Sequence, residues 1–341
     1  MAIYRRRFIA QTTLAAAALV GPLPRVGIRS ARAAGISYRM GHDLPATHPL
    51  HIRLEEACAR IATRTQGEIK ITVYPFSKLG SDLASLEMVK AGQLDFFTLP
   101  GIILSSKVQA ASLNAVGFAF SSYGQIWPAM DGPLGAYIRG EIEKFGVVTV
   151  GRCMNNGFRQ ATTKSKPILK PADFEGVKLR VPPGPLTQSL FQSLGAIPTP
   201  LNFDLLYKAL ESETVDGQET PLALMMGSKL YEVQTYCSLT NHIWDGYWML
   251  ANDALWKGFA PKIRDILVEE LDRAAVEERS DLAVLDPNLR GDAAMTGLKI
   301  NPVDTLLFQR ALQKAGFYKE WKSRFGDVAW KKLEDAADGL T

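Results

Sequence analysis

The chain has 341 residues, 47% of them hydrophobic and 22% charged, an ordinary composition for a folded protein with material for two domains. Its formal charge of +4 belongs to the leader: residues 1–33 hold six arginines (Arg5, Arg6, Arg7, Arg25, Arg29, Arg32) and no acid. Removing these from the 39 basic side chains leaves 33 against 35 acids, a net of −2, which withdraws any case for a nucleic-acid- or membrane-binding surface.

The first element, YRRRFIAQTTLAAAALVGPLPRVGIRSARAAG, has a basic head, an apolar run over 12–23 and a small-residue Ala31-Arg32-Ala33 pattern. It reads as an export signal cleaved near Ala33, so the mature chain is periplasmic. The apolar run falls well short of the roughly 20 residues that span a bilayer. Arg5 and Arg6, followed by Phe8 and Ile9, match the twin-arginine pattern apart from Ala10; an ordinary secretory signal is the alternative.

Strands then alternate with helices. ISYRMGHD predicts a strand, PLHIRLEEACARIATRTQG an amphipathic helix closed by Gly67, and EIKITVYP a second strand. SDLASLEMVKAGQ predicts a helix capped by Ser81 or Asp82, before a strand over 94–99. FGVVTVGRC and GVKLRVPP are further strands, and NFDLLYKALESETVDG predicts a helix followed by a strand from Thr214. PKIRDILVEELDRAAVEERSDLAVLD, free of internal glycine and proline, predicts one long helix; the tail from Pro302 is helical in character. Strands separated by helices of this length imply parallel α/β sheets.

One of these strands ends unusually. In GVKLRVPPGPLTQSLFQSLG, Val177, Leu179 and Val181 share a face while Lys178 and Arg180 take the other. Pro182 and Pro183 stop the strand, and Gly184-Pro185 opens a helix with apolar Leu186, Leu190 and Leu194. Arg180 therefore sits at a strand's carboxyl end beside a helix N-terminus. Open α/β sheets bind ligands there, and the guanidinium and helix end both favour an anion. A solvated edge arginine is the plainer alternative.

The stretch GVKLRVPPG, with LGAIPTPLNFDLLYKALESETVDGQETPLA downstream, resembles the signature of the DctP-type solute-binding proteins of TRAP transporters, periplasmic receptors for organic acids. YPFSKLGSDLASLEMVKAGQLDF, NNGFRQATTKSKPI and LYEVQTYCSLTNHI match in the same order, so the resemblance covers the mature chain. It implies an α/β two-domain periplasmic binding protein (Venus-flytrap) fold with a cleft that closes on the ligand, a long helix spanning both domains and a helical C-terminal tail. The expected boundaries are 34–156 plus about 246–285 for domain I, and 157–245 plus about 286–341 for domain II. The strand arginine matching Arg180 grips the ligand carboxylate in such proteins, and the one matching Arg159 supports it.

Departures bear on the ligand. Sialic-acid-binding members carry asparagine where this chain has Thr220, and a glutamate where it reads Leu99-Pro100-Gly101, which removes two polar partners of a sugar acid. Phe203 fits a family position where an aromatic packs on the substrate; Phe158 adjoins Arg159, and Trp244 and Tyr247 follow His242. These aromatics, each of which would otherwise be plain core, indicate a compact carboxylate with an apolar or aromatic body. Glu219 would accept a ligand hydroxyl or tie down an arginine. His42 and Asp43, just after the first strand, and Asp82, as an alternative to capping, are further candidate contacts. A metal site from His42, His48 and His51 would need loop and helix phases to converge, and none is expected; no cofactor is implied either. Cys58, Cys153 and Cys237 lack metal spacing and read most simply as buried thiols. No nucleophile elbow, Walker loop, zinc-protease or dinucleotide motif occurs, which favours a receptor over an enzyme on a similar scaffold. Its partners would be TRAP membrane subunits, or a sensor kinase in the alternative receptor reading.

Overall fold

The computed structural model describes residues 36–337. The expected export signal lies outside them. Eleven strands form one connected sheet: β1 (Ile36–Gly41), β2 (Ile69–Tyr74), β3 (Phe96–Pro100), β4 (Val147–Thr149), β5 (Met154–Thr163), β6 (Lys178–Val181), β7 (Ile197–Pro200), β8 (Gly217–Pro221), β9 (Tyr236–Leu239), β10 (Trp244–Asn252) and β11 (Lys299–Pro302). The main path runs β2-β1-β3-β10-β5-β8-β6-β7, with β4 on β10, β9 on β5 and β11 on β9.

Two parallel triplets, β2-β1-β3 and β8-β6-β7, flank an antiparallel pair, β10 and β5. The expected parallel pairing holds within each triplet, and the central pair is antiparallel. Met154–Phe158 of β5 pair with β10, and Arg159–Thr163 pair with β8, so β5 passes from one triplet to the other. The register shifts at Asp245/Gly246, opposite Gly157, whose φ of +111° only glycine adopts readily. β8 begins at Gly217 rather than Thr214, because Glu213 turns the chain in the left-handed region and Asp216 pairs with the backbone of Lys178.

The core splits across the faces of this sheet. Trp244, Trp248 and Leu250 of β10 join Phe308, Trp321 and Trp330 of the C-terminal helices. Tyr247, Met249 and Ala251 point the other way, toward Leu54 and Ile61 of helix Pro49–Arg64 and Leu267 and Leu271 of helix Pro261–Met295. The two helices are tied together by Arg53–Asp281 (2.7 Å), Arg60–Glu270 (2.6 Å) and Arg64–Glu270 (2.8 Å). The long helix continues beyond its expected end at residue 286, through Pro287 to Met295, because Pro287 lies exposed between buried Leu282 and Leu289. Its packing holds it through the residue whose carbonyl partner the proline removes. All three cysteines are buried, unpaired thiols.

Candidate functional site

Residues at or just beyond the carboxyl ends of strands in both parallel triplets line one cavity. Asp43 follows β1, Ile102 and Ile103 follow β3, Arg180 and Pro182 end β6, Phe203 follows β7, and Thr220 and Leu224 come from the end of β8. With Asn156, Arg159 and Tyr247 of the central strands they enclose a cavity of about 10 Å³, room for about one water molecule. The two sides approach closely at two glycines. A Cβ added to Gly184 would lie 2.2 Å from the carbonyl oxygen of Ile102, and one on Gly227 would lie 3.0 Å from Cγ of Pro45.

Arg180 is 1% exposed. Its Nε and Nη2 donate to the carbonyl oxygen of Leu201 at 3.0 and 2.7 Å, which fixes the guanidinium plane, and its Cζ lies 5.8 Å from the centre of the Phe203 ring. It forms no salt bridge among the described residues. Burial pulls its pKa down to about 10, partly offset by Glu219, so the side chain stays cationic at neutral pH.

Arg159 is bound differently. Its Nε donates to Oε2 of Glu219 (2.5 Å), Nη2 to Oε1 (3.0 Å) and to the Glu219 carbonyl oxygen (2.9 Å), and Nη1 to Oδ2 of Asp245 (3.1 Å). Burial works against this charge, but Glu219 and Asp245 outweigh it and hold the guanidinium above its usual pKa. Glu219, also buried, is kept below the usual carboxylate range by Arg159 and His242. His242 closes the network, with Nε2 at 3.0 Å from Glu219 Oε2 and Nδ1 at 2.8 Å from Thr240 Oγ1. Burial lowers its pKa; in the neutral imidazole, Nε2–H donates to Glu219 while Nδ1 accepts from Thr240. Asp245 is pushed up to about 6 by burial.

Two further acids stand nearby. Oδ1 of Asp43 accepts from the Tyr247 hydroxyl at 2.9 Å, and burial raises this carboxyl to about 6. Asp82 is 1% exposed and not the cap expected of it: Ser81 occupies that position and Asp82 is the first residue of helix Asp82–Lys90. Neither of its carboxyl oxygens makes a hydrogen bond of good geometry among the described residues, although the Phe203 backbone lies close enough to favour its charge. Burial, then Asp43, raises its pKa well above the usual range.

Other candidates sit elsewhere. Phe158 stacks at a tilt on Tyr123, 5.4 Å between rings, and lines a separate groove of about 460 Å³ with Leu222 and Arg290. Trp244 is wholly buried, donates from Nε1 to Asn155 Oδ1 at 2.9 Å and meets Trp127 edge-on. Neither lines the Arg180 cavity. His42 pairs with His51 (Nε2 to Nδ1, 2.9 Å), and His48 caps its helix by accepting from the Leu50 N–H at 3.2 Å. No group of three metal-ligating side chains forms among the described residues. Sequence reasoning missed Asn156, Ile102, Ile103, Pro182 and Leu224; their signal was position, just before or after elements already assigned to the site.

Known proteins share the fold of this chain. The uncharacterized protein y4mM of Sinorhizobium fredii is 35% identical over 243 residues, 71% of this chain but 44% of that protein, so the chain spans less than half of its length. The 2,3-diketo-L-gulonate-binding periplasmic protein YiaO of Escherichia coli is 29% identical over 247 residues, covering 72% of this chain and 75% of that one. A TRAP periplasmic solute-binding protein from Ralstonia eutropha, crystallised with (S)-2-acetolactate, superposes with a TM-score of 0.83 at 28% identity, covering 88% and 98% of the two chains. The last two are solute-binding proteins. The model of the bacterial extracellular solute-binding proteins, family 7 (DctP), matches residues 40–322, and the chain belongs to that family.

Proposed function

We propose that this protein is the extracytoplasmic receptor of a TRAP transporter and that it holds a small monocarboxylate with an apolar body by a two-pronged salt bridge to Arg180. The observation that carries the reading is a buried, fixed guanidinium with no salt bridge among the described residues, walled by Ile102, Ile103, Leu224 and Phe203. A carboxylate matches the planar fork and neutralises the charge in a place that water scarcely screens. Glu219 and Asp245 already occupy Arg159, which therefore positions the strand rather than gripping the ligand with both prongs.

A cavity this small admits a ligand only when its walls separate. β5 changes partner between Phe158 and Arg159, which supports a hinge there between domain I (34–156 plus about 246–285) and domain II (157–245 plus about 286–341). The acetolactate of one similar structure and the 2,3-diketo-L-gulonate named for YiaO both support a carboxylic acid as the ligand. In the cell the export signal would place the protein in the periplasm, where it would pass its ligand to TRAP membrane subunits. No helix among the described residues is long and apolar enough to cross a membrane.

The test is a thermal-shift screen of the mature protein against mono- and dicarboxylates, followed by calorimetry on the hits. A saturating ligand at 100 times its Kd should add about 2.7 kcal/mol to stability. Arg180→Ala should abolish the shift; an unchanged shift would refute the site.

A further inference from the structure

We propose that the groove beside Phe158 is a second ligand site, separate from the Arg180 cavity, and that it takes a monocarboxylate carried on a flat apolar body. The site stands independently of the reading of Arg180 above.

The groove has a volume of about 460 Å³, within the range of about 300–1,000 Å³ usual for small-molecule pockets. Phe158 and Gln160 of its lining share one face of β5, while Arg159 takes the other, so the strand stands between the groove and the Arg180 cavity. The opposite wall is the long helix, from Ala283 to Arg290.

The apolar part of the lining is flat. The Tyr123 ring lies parallel to Trp127 at 5.7 Å and meets Phe158 at 5.4 Å, and Leu222 and Pro287 continue the wall. A planar body covers such rings more fully than a branched chain does.

The polar part divides by what is already engaged. Tyr123 donates to Oδ2 of Asp286 at 2.7 Å. Gln160 donates from Nε2 to the Phe158 carbonyl oxygen (3.1 Å) and to Asn241 Oδ1 (2.6 Å), and its Oε1 accepts from the Asn241 N–H (3.0 Å). These bonds fix the Asn241 amide with its oxygen taken, and leave its Nδ2 without a partner among the described residues. The Arg290 guanidinium likewise has neither ion pair nor hydrogen bond among the described residues. Both open groups donate. Their partner must accept, and the fixed charge of Arg290 selects an anion. Asp286 stands in the same lining and repels a doubly charged group such as phosphate, which leaves a single carboxylate.

Three probes with one ring system decide the matter: indole-3-acetate, indole-3-acetamide and tryptamine, titrated calorimetrically into the mature protein. The acetate should bind about three- to tenfold more tightly than the amide, because Arg290 is exposed and its charge partly screened, and tryptamine should bind weakest. Arg290→Glu should reverse the order of acetate and amide. Asn241→Asp, which replaces the open donor with an acceptor and keeps the bond to Gln160, should weaken the acetate alone. Ala283→Trp, at an exposed helix position, should fill the groove and weaken acetate and amide alike by about tenfold or more. Arg180→Ala should leave acetate binding within about twofold. Equal binding of acetate and amide, tightest binding of tryptamine, or no binding of the acetate at millimolar concentration overturns the proposal. So does acetate binding that survives Ala283→Trp and Arg290→Glu but disappears with Arg180→Ala, since that places the probe in the cleft. The arginine reading fails separately, when a cleft acid found by the thermal-shift screen is indifferent to Arg180→Ala.

Discussion

Replacing Gly184 by alanine tests whether the two sides of the site must meet at backbone contact. Gly184 has φ −176°, an extended conformation open to any residue, so alanine carries no backbone strain there. Its Cβ would nonetheless lie 2.2 Å from the carbonyl oxygen of Ile102 and 3.2 Å from Oγ of Ser105. The oxygen belongs to the short helix Gly101–Leu104, whose residues are all buried, so it has little room to retreat. Overpacking of this kind costs about 1–3 kcal/mol, and all of it falls on the closed form because the two segments separate on opening. Affinity for the ligand should drop about 5- to 150-fold, with Arg180 and every other lining side chain intact. Calorimetric titration gives the affinity, and small-angle scattering with and without ligand reports the compaction. Unchanged affinity with full compaction would refute the closure geometry.

Three other substitutions probe the charges. Arg180→Lys keeps the cation but loses the fork, and should weaken carboxylate binding by about 2–5 kcal/mol in the same titration; wild-type affinity would show that a point charge is enough. Glu219→Gln removes the buried partner of Arg159 and His242 and should destabilise the protein by about 3–5 kcal/mol in urea unfolding. A loss below about 1 kcal/mol would mean that Asp245 alone satisfies the guanidinium. Asp245 is raised by burial from an ordinary 3.8 to about 6, so the folded state binds its proton more tightly than the unfolded chain does. Its contribution to stability is therefore full below pH 4 and is lost as the pH rises toward 6. Between those limits the wild type should lose about 2–3 kcal/mol relative to Asp245→Asn; parallel pH profiles would contradict the shift.

The arginine at the end of β6 was legible because alternation, two prolines and a helix-opening Gly184-Pro185 are all local signals. The central pair was not. All nine residues of β10 are buried, so no alternation marks it, and β5 fills its buried positions with Asn155, Asn156, Arg159, Gln160 and Thr162, which form no apolar pattern. Their polar atoms are matched across strands, as in Arg159 with Glu219, a pairing that one strand's sequence does not display. The misplaced aromatics follow from strand geometry. Phe158 adjoins Arg159 and so faces the opposite side of β5; Trp244 and Tyr247, three apart on β10, face opposite cores. Parity along the strand was available in the sequence, but only once the strand itself was known.

The route of β5 bears on how this molecule comes apart. Its first half is zipped to β10 and its second to β8, while β10 is itself bound to β3. Severing the chain near Gly157 would leave each fragment with a raw edge of unpaired peptide groups, and such edges aggregate rather than persist. Melting should accordingly appear as one calorimetric peak, not two, even though the molecule works by flexing across its middle.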